Sequence, residues 1–195
     1  MKQLEDDPTK KFTYVEMAYF YRFWQEAGNS TRALIRKLAQ EGRLEFIGGG
    51  WVMNDEASTH LEGNTEQMTR GHEFIVNEIG VKPKISWQLD PFGHASEYAV
   101  LSAQMGFNGM YFARIDFQDY QQRLKDKTLE FIWRPSGTLG QQTEIFTHVL
   151  WGTTYCQPRL SSFFSFHYKF NEEKQILSSL RADLLQCKMI QTSSI

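Results

Sequence analysis

The sequence predicts an α/β fold built on a mainly parallel sheet with crossover helices. Short runs rich in β-branched and aromatic residues alternate with stretches of helical periodicity. The alternation recurs every few tens of residues, and glycines or turn dipeptides punctuate the junctions. The pattern does not decide whether the sheet is open or closed. The five or six strands it contains are too few for a complete eight-stranded barrel, so the chain reads as part of a larger fold.

Lys11–Phe20 reads as a strand running into a helix that includes Phe23 and Trp24. Gly28-Asn29-Ser30 breaks it, and Asn29 or Ser30 can cap the next helix. Leu34, Ile35 and Leu38 form that helix's apolar face, and Gly42 ends it. Leu44–Ile47 is a short strand followed by Gly48-Gly49-Gly50-Trp51. His60–Ile79 fits a helix with Met68, Ile75 and Ile79 on one side, stopped by Gly80. Lys84–Leu89 is a strand, and Asp90-Pro91-Phe92-Gly93-His94 a turn. Ser96 is placed to cap a helix that runs to Met105 and ends at Gly106. A strand at Gly109–Ala113, a polar helix around Asp119–Lys127, a strand at Leu129–Trp133 and another at Ile145–Leu150 follow. From Leu160 the character changes: Phe163, Phe164 and Phe166 crowd together. Asn171–Cys187 then reads as a helix carrying Ile176, Leu177, Leu180 and Leu184. The reading divides the chain into a domain over 1–160 and a divergent tail over 161–195.

The 195 residues suffice for one good-sized core, and 41% hydrophobic with 23% charged residues is ordinary for a globular protein. A net charge of −2, with no basic stripe, argues against a nucleic-acid partner. No apolar run is long enough to cross a bilayer. The polar, charged start lacks the form of a signal peptide, which taken alone reads as cytosolic or as a chain whose true N-terminus is missing. Two cysteines, Cys156 and Cys187, do not make a disulfide framework. Asn29-Ser30-Thr31 is a glycosylation sequon, relevant only in the secretory pathway.

Three strand ends carry candidate chemistry, because ligands in parallel α/β folds bind beyond the carboxyl ends of the strands. Asp90 follows Lys84–Leu89 and could be a nucleophile, a general base or a metal ligand; on spacing alone plain Asp-Pro turn chemistry is the better explanation. The run Gly48–Glu56 could cradle phosphate, but Met53 stands where the dinucleotide fingerprint needs a third glycine. A glycine turn that lets Trp51 and Asp55 face a pocket fits as well. Arg114, after Gly109–Ala113, could pair with Asp90 or a substrate oxygen, or form a structural salt bridge. His60, His72, His94, His148 and His167 are scattered, with no spacing that assembles a zinc site.

Longer motifs add more. Tyr14–Phe20, the segment Gly42-Arg43-Leu44-Glu45-Phe46-Ile47-Gly48-Gly49-Gly50-Trp51-Val52-Met53-Asn54-Asp55-Glu56-Ala57, the segment Trp87–His94 and Ile145–His148 resemble the class II α-mannosidases, family 38 of the glycoside hydrolases. Lysosomal and epididymal types are nearest in flavour. The resemblance runs from about Phe12 to Tyr155. It implies a seven-stranded parallel β/α barrel, present here only in part, and zinc-dependent hydrolysis of terminal α-linked mannose with retention. It implies that Asp90 is both nucleophile and zinc ligand, that Phe92 lines the sugar site, that Arg114 stands near the nucleophile and that Tyr155 contacts sugar. Cys156 departs from the aspartate that follows that tyrosine in Golgi-type relatives.

The resemblance further implies mannose-containing glycans as partners and a lysosomal or secretory location. The family's His-Thr-His-type segment, which supplies two zinc ligands, is expected upstream of Met1. The general acid and the last zinc histidine are expected downstream, where 161–195 does not match. On that expectation the chain alone has little or no hydrolytic activity. The rival reading is an inactive truncated form that at most binds mannose or a partner.

Overall fold

A computed structural model describes residues 1–150. Tyr155, Cys156, His167, Cys187, the Phe163–Phe166 cluster and the Asn171–Cys187 helix lie outside the described residues.

The described chain alternates helices and strands. It begins with α1 (Lys2–Asp6) and β1 (Phe12–Tyr14), then α2 (Met17–Glu26) and α3 (Asn29–Gln40), then β2 (Leu44–Phe46). Next come α4 (Leu61–Phe74), which runs into a π-helical turn over Ile75–Ile79, β3 (Ile85–Gln88), α5 (Ser96–Gln104) and β4 (Gly109–Phe112). The last elements are α6 (Phe117–Asp126), β5 (Glu130–Trp133), a short 3-10 turn and β6 (Ile145–Val149).

β1 and β2 pair in parallel, and a second sheet has the order β3-β4-β6-β5. The β3–β4 and β4–β6 pairings are parallel, as expected; β5 runs antiparallel at the edge. Beyond β2, the Gly48 N–H donates to the Ile85 carbonyl at 2.7 Å, which carries the hydrogen bonding of the first sheet toward β3.

Side chains two apart on a strand share a face. Met110, Phe112 and Val149 pack with Tyr98 and Ala99 of α5 in one apolar cluster. On that side of β3, Ser86 meets Ser102 of α5 at 2.9 Å between hydroxyls. The opposite face of the sheet carries Trp87, Tyr111 and His148 in register, with Glu130 2.9 Å from His148. A second cluster joins Phe20 and Trp24 of α2, Ile35 and Leu38 of α3, Leu44 and Phe46 of β2 and Phe74 of α4. Each large apolar side chain buried in this way contributes about 1.5–3 kcal/mol.

The expected Lys11–Phe20 strand shortens to Phe12–Tyr14, because Phe20 and Trp24, four apart, share the buried face of a helix that begins at Met17. α1 had no counterpart in the sequence reading. It buries only Leu4, and its position is held by Arg43, whose guanidinium donates to the carbonyls of Leu4 and Asp7. Ser96 does not cap α5. The helix starts at that residue, and the N–H of Ala95 is taken by a distant carboxylate, Glu56.

Of the three glycines after β2, Gly48 sits at φ +61°, and close packing explains Gly49 and Gly50. α4 crosses them backbone to backbone: the Trp51 N–H donates to the Gln67 carbonyl at 3.0 Å. A methyl on Gly71 would run into the Gly49 carbonyl. A methyl on Gly49, at φ +74°, would strike Pro83 and Ile75. Packing against α4 thus accounts for the tight loop, and Asp55 is exposed. A Gly71→Ala substitution is expected to cost about 1–3 kcal/mol of overpacking, read as a lower urea midpoint with an unchanged slope.

Candidate functional site

β3 and β4 are parallel neighbours whose register sets Gln88 opposite Phe112. Two residues further, the same register brings Asp90 opposite Arg114. Both lie past the strand ends, where the ladder no longer occupies the backbone. There the Arg114 Nη2 donates to Asp90 Oδ1 at 2.7 Å, with the two side chains 42% and 60% exposed. An exposed pair of this kind contributes only about 0.2–1 kcal/mol to stability, so its main effect is geometric: it points a carboxylate outward at the rim of the sheet.

Pro91 is buried and anchors the turn, while Phe92 at its tip is 80% exposed. The structure therefore brings Asp90 and Arg114 together and leaves Phe92 as an open aromatic face beside them in sequence. Tyr155 lies outside the described residues.

Below this rim is a polar layer that local spacing did not reveal. The loop after β2 is held by Glu16, which accepts from the Met53 N–H at 2.8 Å, and by the Gln67 side chain, which accepts from the Val52 N–H at 3.2 Å. It delivers Asn54 to Gln88, whose amide donates to Asn54 Oδ1 at 3.2 Å in a buried setting. It also delivers Glu56. One Glu56 oxygen meets His94 Nδ1 at 3.0 Å, and the other accepts the Ala95 N–H at 2.6 Å. His94 Nε2 lies 2.8 Å from the Arg114 carbonyl. Glu56 and His94 are 38 positions apart, so no local pattern announces their meeting. Beside them, burial pushes the Tyr98 phenol up to about 12, with the Glu56 charge adding to the rise and the bond to Ser86 opposing it. Tyr98 is therefore neutral at physiological pH.

Chemically, the rim can present a carboxylate beside a guanidinium, an arrangement suited to attack on an electron-poor carbon or to holding a polar ligand. Among the described residues, no three His, Cys, Asp or Glu side chains come together to hold a metal ion. The described residues thus do not form a zinc site by themselves.

The family described as "Glycosyl hydrolases family 38 N-terminal domain" matches residues 1–191. The chain is 48% identical over 147 residues to an alpha-mannosidase of Arabidopsis thaliana, a match covering 75% of this chain and 14% of that protein. It is 48% identical to the lysosomal alpha-mannosidase of Cavia porcellus, over 74% of this chain and 15% of the relative. With the human lysosomal alpha-mannosidase the identity is 47%, over 74% of this chain and 14% of the relative. The chain thus spans about a seventh of the length of these curated relatives. Among solved structures, the 4-alpha-glucanotransferase from Thermococcus litoralis matches with a TM-score of 0.57 at 17% identity, over 75% of this chain and 22% of that one. At that identity the match speaks to the mixed α/β fold alone.

His72 on α4 secures the glycine loop from beneath, its Nε2 donating to the Gly48 carbonyl at 2.9 Å. Burial holds its pKa below the ordinary value of 6.5, against the pull of that hydrogen bond. A base held low binds its proton less readily folded than unfolded, so neutral His72 favours the fold at high pH. Stability falls as the pH drops through 6.5 toward the folded value. In His72→Gln, whose amide can still donate to Gly48, urea unfolding between about pH 7.5 and pH 5 is expected to show a shallower loss than in the unaltered chain.

Proposed function

Because the chain belongs to family 38 of the glycosyl hydrolases through their N-terminal domain, we propose that it carries part of the catalytic site of an α-mannosidase, with Asp90 as the attacking carboxylate. Residues 1–160 then form a portion of a seven-stranded parallel barrel. The parallel β3-β4-β6 order and the Gly48–Ile85 hydrogen bond, which leads the first sheet into the second, support that reading. The observation that carries the functional proposal is the outward-facing Asp90 carboxylate, set by strand register and bonded to Arg114 at the carboxyl end of a parallel sheet.

In a retaining reaction, Asp90 Oδ forms a bond to the anomeric carbon of a terminal mannose as the glycosidic C–O bond breaks. The leaving oxygen takes a proton from a second carboxyl group. Water then cleaves the ester and returns Asp90 as the carboxylate, giving mannose with its anomeric configuration kept. Arg114 holds Asp90 oriented before attack, and Phe92 offers an aromatic face to the sugar. Zinc remains an expectation of the resemblance, with Asp90 as its ligand on this chain and Tyr155 as a further sugar contact. No step above is routed through a metal. The substrates of this reading are mannose-containing glycans. Its setting is lysosomal or secretory, in keeping with relatives named lysosomal and an exposed Asn29.

An activated fluoro-mannoside that leaves a long-lived mannosyl ester tests the assignment by peptide mass mapping. The expected adduct sits on Asp90. Asp90→Asn is expected to lose the adduct, together with any turnover of an aryl α-mannoside that the unaltered chain shows. A label on another carboxylate, or undiminished turnover in Asp90→Asn, overturns the proposal. Mannose binding without any adduct favours the non-catalytic alternative.

A further inference from the structure

Glu56 and His94 sit beneath the rim with side chains 1% and 7% exposed. Neither residue reaches the surface to meet a sugar. A buried pair of ionisable groups needs an explanation, because removing charges from water is costly unless every polar atom finds a partner.

Every polar atom does. Both Glu56 oxygens are used, one by the His94 ring and one by the Ala95 N–H. Both His94 nitrogens are used, one by Glu56 and one by the Arg114 carbonyl. A carbonyl only accepts, so Nε2 carries hydrogen. The Glu56 Oε2 takes the backbone N–H at 2.6 Å just ahead of α5, where the positive end of the helix dipole lies. The His94 ring also stacks on Phe112 at 3.9 Å between centroids. Tyr98 on α5 and the always-charged Arg114 stand beside the pair.

We infer that Glu56 and His94 form a buried positioning pair, which fixes Arg114 through its main-chain carbonyl and thereby aims the Arg114 guanidinium at Asp90. The inference rests on the reading of Asp90 as the working carboxylate for its purpose, but not for its geometry. The relay is continuous: the loop after β2 supplies Glu56, the turn after β3 supplies His94 and Asp90, and the segment after β4 supplies Arg114. The segments that follow three strands are thereby tied together through Glu56 and His94. Glu56 and His94 touch no substrate; they act through Arg114.

NMR of the isotope-labelled full chain tests this without reference to turnover. In Glu56→Gln and in His94→Gln, exchange of the Arg114 guanidinium protons is expected to speed up by about tenfold or more, the scale of one lost charged hydrogen bond. Amide exchange in β3 and β4 should stay unchanged. Guanidinium exchange that is unaltered, or that rises only together with those strand amides, reduces the pair to ordinary structural support and overturns the positioning role. These readouts are independent of the mannosyl label on Asp90, so failure of the label with a positive NMR result condemns the glycosidase reading alone.

Discussion

Parallel registration of β3 with β4 is the constraint on which the rest of the structure depends. A parallel ladder sends every strand the same way, so successive strand ends emerge at one rim, and the segments that follow them become neighbours there. Ile85 opposite Gly109 and Gln88 opposite Phe112 leave Asp90 and Arg114 facing each other without any further device. A slip of one residue between the two strands would turn one of the two charged side chains to the other face of the sheet. The apolar packing of Met110 and Phe112 against α5 resists such a slip, so the core protects the geometry of the rim.

The buried layer beneath the rim converts a shared location into a defined arrangement. Register alone brings two charges near each other; it does not hold loops still. Gln88 with Asn54, and Glu56 with His94 and Ala95, tie the loop after β2 to the end of β3. The polar atoms engaged there lie where water is scarce, which makes their hydrogen bonds stiff and costly to break. The exposed Asp90–Arg114 pair thus stands on a foundation much less mobile than its own exposure implies.

Much of this was legible in the sequence for physical reasons. Leu44–Ile47, Lys84–Leu89 and Gly109–Ala113 are β-rich runs bounded by glycine or turn residues, and strands formed there within a residue or so. Asp90 and Arg114 could be picked out because charges at strand ends stand out against buried strands. The direction of β5 was less visible, although the connection from Trp133 to Ile145 is short for a parallel crossover with its helix, which favours an antiparallel neighbour. α1 escaped because four polar residues around one buried leucine have no periodicity to read, and its partner Arg43 is far along the chain. Glu56 and His94 escaped for a related reason. Their partnership exists only once the loops after β2 and β3 have converged.

The glycine loop after β2 has a consequence for how the chain folds. Gly49 donates to the Val15 carbonyl, the Gly50 carbonyl accepts from Met17, Gly48 donates to Ile85, and Trp51 donates to Gln67. Four segments separated widely along the chain therefore complete one another at this loop, and none of these bonds forms within a single local hairpin or helix. Such wiring raises contact order and delays closure of the loop until β3 has arrived. The N-terminal helices and the central strands should accordingly share one opening unit rather than fray separately. A polypeptide emerging from the ribosome would have to expose residues through Ile85 before this junction could close.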